Sequence, residues 1–171
     1  RARTPLPLPP ATTGGVKRPK LTMVDKANAI RAQDVWTRTF AEVGQEYPDV
    51  DQNHLYVDAC CMLMIKSPEA FDVIVMPNLY GDILSDAAAG LAGGLGLAPS
   101  GCYGRDYAYF ESVHGTAPDI AGKGIINPTA SLLSAVLMLD YLGFGDASRF
   151  LRQAIDTLYA EGQRLTPDQG G

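Results

Sequence analysis

The sequence predicts an α/β fold, and three observations predict it. Phe71–Met76 is a short apolar run rich in β-branched residues, the pattern of a strand buried on both faces of a parallel sheet. Segments with an apolar face at helical spacing lie before and after it in the chain. Clusters of Pro, Gly and Asn separate the two kinds of segment, as turn chemistry requires.

The elements follow in order. Arg1–Gly15 holds four prolines in its first ten residues and then Thr12, Thr13, Gly14 and Gly15, so residues 1–19 are expected to be a linker-like or disordered tail. Lys17–Lys20 is a small basic cluster, read as a solvated edge. Leu21–Val24 is a short strand that delivers Lys26 at its end. Asp34 is expected to cap a helix whose apolar face is Val35, Trp36, Phe40 and Val43, aromatics read as core, and Tyr47-Pro48 ends it. Leu55–Ile65 reads as a second helix, apolar nearly all round except at Asp58, which is the signature of a helix that is buried or packs on another subunit. Pro77 and Asn78 end the central strand, Gly81 is expected to turn the chain, and Asp82 to open a helix. Ala87–Gly101 carries five glycines but neither GK[ST] nor GxGxxG, so close packing is the reading rather than phosphate binding. Tyr107–Glu111 is a strand candidate, and Val113–Pro128 a long loop with three glycines, two prolines and His114. Pro128–Leu142 is a helix followed by Gly143, and Asp146 is expected to cap a last helix, Ala147–Glu161, closed by Gly162.

Composition narrows the function classes. The 171 residues, 46% of them hydrophobic, suffice for one ordinary domain or for parts of two. A net charge of −5 argues against a nucleic-acid partner. No apolar stretch reaches the length of a membrane span. Cys60, Cys61 and Cys102 form neither a CxxC pair nor an even framework and read as reduced thiols in the cytoplasm, or in an organelle matrix if a transit peptide is missing.

The chemistry-bearing residues are few. Asp82 and Asp86 stand four apart, one turn on a helix face. Their spacing alone leaves two readings open, a cap with a solvated acid or a pair of hard oxygen ligands for Mg2+ or Mn2+. Position favours the second, because the pair follows the carboxyl end of a buried strand, where α/β proteins place ligands. Asp58, in an apolar helix, needs a cation, a donor or a metal. Lys26 is either a salt-bridged surface lysine or one aimed into a cleft. His114 and Asp119 in one Gly-rich loop can bind a nucleotide, and an acidic residue at the ribose favours NAD over NADP.

Five motifs together resemble one family, the NAD(P)-dependent β-decarboxylating dehydrogenases of the isocitrate and isopropylmalate type. They are VDKAN at Val24–Asn28, YVDA at Tyr56–Ala59, NLYGDILSD at Asn78–Asp86, HGTAPDIAGKGIINP at His114–Pro128, and TPDQGG at Thr166–Gly171, in the family's order from about Lys20 to the end. The resemblance implies a partial isopropylmalate-dehydrogenase-like fold: a metal-binding and dimerisation domain over residues 20–92, then the returning part of a nucleotide-binding domain over 93–171. It implies that Asp58, Asp82 and Asp86 are the divalent-metal carboxylates, with Asp58 reaching into a partner subunit's site. Lys26 matches the catalytic lysine, also given across the dimer, and Asp58 shares the catalytic site. Asn28 matches a residue near substrate and nicotinamide. The adenosine loop corresponds to His114, Gly115, Thr116, Ala117, Asp119, Ile120 and Asn127, with Asp119 and Ile120 where NADP-dependent members tend to carry Lys and Tyr.

The implied activity is NAD- and Mg2+/Mn2+-dependent oxidative decarboxylation of a 3-substituted malate, a small 2-hydroxy di- or tricarboxylate, by a homodimer with shared sites. VDKAN leans towards the isopropylmalate type, whereas Gly96–Gly101 looks equally like homoisocitrate enzymes, so the substrate stays open. Family members are roughly twice this long, and the residues that grip the substrate carboxylates belong to the half absent here. Pro77, Ser112 and Gln169 depart from the family pattern. The competing reading is a non-catalytic regulatory subunit or truncated paralogue that dimerises and binds nucleotide.

Overall fold

The computed structural model describes residues 18–171. The expectations for Arg1–Gly15, and for Lys17 in the basic cluster, lie outside the described residues. The chain divides into two compact units, one running through Leu84 and the other Ser85–Gly171.

The first unit is built on a three-stranded parallel sheet. Its central strand β1 (Lys20–Asp25) pairs with β2 (Asp51–Tyr56) on one side, from Lys20↔Asp51 to Asp25↔Tyr56. On the other side it pairs with β3 (Val73–Val75), from Leu21↔Val73 to Met23↔Val75. Burial on both faces, expected of Phe71–Met76, belongs to β1 instead: Thr22, Met23, Val24 and Asp25 are all wholly buried. β3 is only half-buried, because it has one strand neighbour among the described residues.

Helix α1 (Asp34–Gly44) follows a 3-10 turn at Arg31–Gln33, so Gln33 rather than Asp34 takes the cap position. Asp34 sits in the first turn, where its charge suits the positive end of the helix. None of α1 is buried. Trp36, Phe40 and Val43, expected in the core, instead face an apolar cleft of about 380 Å³ that Leu21, Val73 and Val75 also line. Val35 is exposed.

The expected helix Leu55–Ile65 is shorter. Leu55 and Tyr56 continue β2, in register with Val24 and Asp25, and the helix α2 is Val57–Lys66. Strand pairing wins over the helical pattern there because β1 offers a complete ladder up to Tyr56. Cys60 is the one buried residue of α2, while Met62 and Ile65 are exposed. Helix α3 (Asn78–Leu91) begins earlier than expected. The Tyr80 and Gly81 N–H groups donate to the Pro77 carbonyl at 3.1 and 3.0 Å. Gly81 therefore lies in the first helical turn rather than in a tight turn, and Asp82 lies within the helix rather than at its cap. Val24, Cys60 and Leu84 form the core of this unit, packed by Leu55, Phe71, Ile74 and Met76.

In the second unit Gly93 and Gly94, with φ of 114° and 118°, end the helix in conformations that L side chains avoid. The chain then enters β4 (Pro99–Tyr103), a strand hidden in the Gly-rich run. It pairs antiparallel with β5 (Ala108–Ser112), from Pro99↔Ser112 to Tyr103↔Ala108. Helices α4 (Thr129–Tyr141) and α5 (Gly145–Glu161) complete the unit. Phe144, not Asp146, holds the cap position of α5, and Gly162 closes it at a φ of 65°. Ser134 on α4 receives the Ser100 N–H at 3.3 Å and donates to the Glu111 carbonyl at 2.7 Å, which ties both strands to the helix. Ala89, Ala130, Val136 and Ile155 are its buried apolar residues.

Candidate functional site

In the first unit the chemistry gathers where β1 and β2 end. Lys26 leaves β1 with its main chain held on both sides. Its N–H donates to Gln33 Oε1 at 2.6 Å, and its carbonyl receives the Ala29 and Ile30 N–H groups at 2.9 Å. Gln33 Nε2 in turn donates to the Tyr80 hydroxyl of α3 at 3.0 Å. The Lys26 ammonium lies 2.6 Å from Asp58 Oδ1 and 6.0 Å from the centre of the Tyr56 ring. Asp58 thus has the cationic partner its sequence context required, yet its side chain is 69% exposed, so the pair faces outward rather than into a core. The Lys26 hydrogen bond, with the first backbone N–H groups of α2, holds the Asp58 carboxyl below the usual carboxylate range.

Asp82 and Asp86 lie one turn apart on α3 and are both exposed. Asp82 Oδ1 receives the Asn78 side-chain amide at 3.4 Å. Among the described residues no three His, Cys, Asp or Glu side chains converge closely enough to hold a metal ion. One chain therefore presents its carboxylates as separate, solvent-facing donors. Their chemistry fits a hard dication: all oxygen, all carboxylate, none buried against apolar surface. Asn28 lies in the exposed turn that follows Lys26.

The second unit contains a cleft of about 470 Å³ at the His114 loop. His114, Gly115, Ala117, Ile120 and Asn127 line it, together with Leu95, Gly96 and Asp168. Thr116 and Asp119 are exposed in the same loop, outside the lining. The loop is braced from within. Ala117 takes a left-handed φ of 44°, a strained conformation for a residue with a Cβ. Buried Asn127 receives the Thr129 N–H at 3.0 Å and donates to Tyr159 Oη at 3.2 Å and Asp168 Oδ2 at 3.0 Å. The nearby Thr166 hydroxyl, with lesser help from Asn127 and Gln169, holds the Asp168 carboxyl below its usual range against the opposing effect of burial. A Cβ on Gly96 would stand 3.1 Å from Asn127 Cβ and 3.2 Å from Asp168 Oδ2, so glycine keeps that floor open. The cleft is of the size and mixed polarity that a nucleoside needs.

Several residues of these two places escaped the reading of the sequence. Gln33 holds the Lys26 main chain, and Thr37 and His54 hold Asp25, the residue before it. Asp168 belongs to the TPDQGG motif but had no role assigned. The available signal was Asp25 itself: a carboxylate inside an apolar strand, one residue before a candidate lysine, must find donors.

One unit thus carries a cleft of about 470 Å³ and the other an outward lysine–carboxylate pair. The sequence profile of the isocitrate/isopropylmalate dehydrogenase family matches residues 11–171, and the chain belongs to that family. It is 52% identical over 158 residues to the isocitrate/homoisocitrate dehydrogenase of Thermus thermophilus, covering 92% of this chain and 47% of that protein. It is 51% identical over 156 residues to a probable NAD isocitrate dehydrogenase alpha subunit, named mitochondrial, from Drosophila melanogaster, covering 90% of this chain and 41% of that protein. The crystal structure of isocitrate dehydrogenase from Methylococcus capsulatus superposes with a TM-score of 0.87 at 46% identity, covering 90% of this chain and 45% of that one. The chain spans a little under half the length of the relatives it matches. Among the described residues no helix is long and apolar enough to cross a membrane.

Proposed function

We propose that this chain is the C-terminal half of an NAD-dependent dehydrogenase that oxidises and decarboxylates a 3-substituted malate of the 3-isopropylmalate, isocitrate, homoisocitrate or D-malate type. The observation that carries the proposal is the lining of the second-unit cleft by His114, Gly115, Ala117, Ile120 and Asn127, all from the motif matched to adenosine binding. When bound, NAD supplies the hydride acceptor, and Mg2+ or Mn2+ a Lewis acid for the 2-oxygen and for the charge left as CO2 departs.

This chain's own residues have defined parts. The His114–Asn127 loop holds the adenosine, and Asp119, exposed beside it, repels a 2′-phosphate and so excludes NADP. Asp82 and Asp86 would hold the dication from one copy and Asp58 from a second. That division fits three exposed carboxylates that do not cluster among the described residues of one chain. Lys26, carried beside Asp58, takes the proton of the substrate's 2-hydroxyl as a neutral amine, after its ammonium has released a proton to solvent, and Asn28 in the following turn borders the nicotinamide end. Two helices offer the dimer contact: Met62 and Ile65 on α2, and Leu79 and Ile83 on α3, are large apolar residues at helical spacing, each more than half exposed. We place the protein in the cytoplasm or an organelle matrix.

The test is turnover of the four malate derivatives by the complete polypeptide with NAD and with NADP. NADH formation with one of them, abolished by EDTA and restored by Mg2+ or Mn2+, is the expected result. No turnover with any of them under metal-replete conditions overturns the proposal. Dimerisation and nucleotide binding retained in that case would point to the non-catalytic subunit instead.

A further inference from the structure

The first unit contains a buried carboxylate, hydrogen-bonded to a part-exposed histidine, that the reading above does not use. Asp25 is wholly buried, and an ionised carboxylate there is costly unless donors surround it. Three do. Thr37 of α1 donates to Oδ2 at 2.6 Å, the Ala27 N–H donates to Oδ1 at 3.1 Å, and His54 Nε2 on β2 lies 2.9 Å from Oδ1. One carboxylate thus fastens the end of β1 to the helix and the strand beside it, at the residue before Lys26. Burial pushes the Asp25 carboxyl up, but the Thr37, Ala27 and His54 hydrogen bonds, with the charge of His54, outweigh it and leave the group below its ordinary value.

The chain of contacts continues towards the lysine. The His54 ring meets the Tyr56 ring edge-on, with centroids 5.1 Å apart and planes at 83°. The face of Tyr56 in turn lies 6.0 Å from the Lys26 ammonium. An apolar residue at position 54 would fill the space beside Tyr56 but leave Asp25 short of a donor.

We propose that Asp25 and His54 are positioning residues for Lys26: Asp25 fixes where the main chain of Lys26 leaves β1, and His54, held by Asp25, fixes the Tyr56 ring that backs the lysine and aims its Nζ. The inference rests on the assignment of Lys26 as the base.

The experiment uses the complete polypeptide. His54→Leu removes the donor and keeps the bulk, whereas His54→Gln can still present an N–H to Asp25. His54→Leu lowers kcat about tenfold or more, with KM for substrate and nucleotide within about twofold, and His54→Gln recovers most of the loss. A second readout needs no turnover. In metal-free protein, acetylation of Lys26 by acetic anhydride, followed by mass spectrometry, speeds up about threefold or more in His54→Leu and not in His54→Gln, because the ammonium leaves its seat on Asp58. A folded His54→Leu protein with unchanged kcat and unchanged Lys26 acetylation overturns the inference. Equal losses of kcat and of thermal midpoint in both variants also overturn it, since they mark a merely structural pair. Lys26→Ala separates the two levels: if that variant turns over normally, the base assignment fails, and if it is inactive while His54→Leu is unimpaired, only the positioning role fails.

Discussion

The two units solve the problem of making a site in opposite ways. The cleft of the second unit is finished within one chain: its loop, its floor at Gly96 and its brace of Asn127, Tyr159 and Asp168 all come from Ser85–Gly171 and are hydrogen-bonded to one another. The first unit presents parts instead. Lys26 and Asp58 form a pair turned outward, and Asp82 is exposed on a separate helix. A binding pocket can be preorganised by local turns and caps, whereas a catalytic centre assembled from two copies must leave each copy's contribution exposed. High exposure of these ionisable groups in the first unit is therefore what the proposed shared site requires.

Mixing two inactive variants is the strongest way to break that contrast. Lys26→Ala and Asp82→Asn dimers should each lose about 10³-fold or more in kcat, since each lacks a group at the reacting atoms. Reassembled together, they should regain about a quarter of wild-type activity, because half the dimers are mixed and each of these holds one intact site. A mixture that stays inactive would put Lys26 and Asp82 in the same copy's site. The self-contained cleft predicts a smaller effect that needs no second copy. Asp119→Lys should shift preference from NAD towards NADP by about tenfold or more in kcat/KM, the worth of one charge-assisted bond to a phosphate. The smallest effect concerns the fastening of β1. Because the Asp25 carboxyl sits below its ordinary value of 3.8, its stabilisation is complete above that pH and is lost as pH falls through the folded-state value. Denaturant unfolding from about pH 6 down to pH 3 should show an acid loss that Asp25→Asn flattens, and Thr37→Val should cost about 1–3 kcal/mol near neutral pH.

What the sequence disclosed and what it concealed divide along physical lines. The family motifs, the terminal glycines of α4 and α5 and the long loop were readable, because each depends on residues near in sequence. The junction of β2 and α2 was not, since an apolar run from Leu55 to Ile65 satisfies a buried strand end and a half-buried helix equally well. β4 was hidden because its partner, β5, rather than its own glycine-rich composition, makes it a strand. Asp34 and Asp146 looked like caps and proved to be first-turn residues, an error of one or two positions that composition cannot resolve. The Asp25–His54 contact joins residues 29 apart on adjacent strands, where Asp25 stands opposite Tyr56 and His54 opposite Met23, so no local pattern announces it.

The passage from Tyr56 to Val57, strand to helix without a single intervening residue, has an engineering consequence. With no slack at that joint, the angular phase of Asp58 is set by the strand's own end. One inserted residue would swing it by about 100° about the helix axis, away from Lys26. Length polymorphism among natural or designed variants should therefore be almost nil between Leu55 and Ala59.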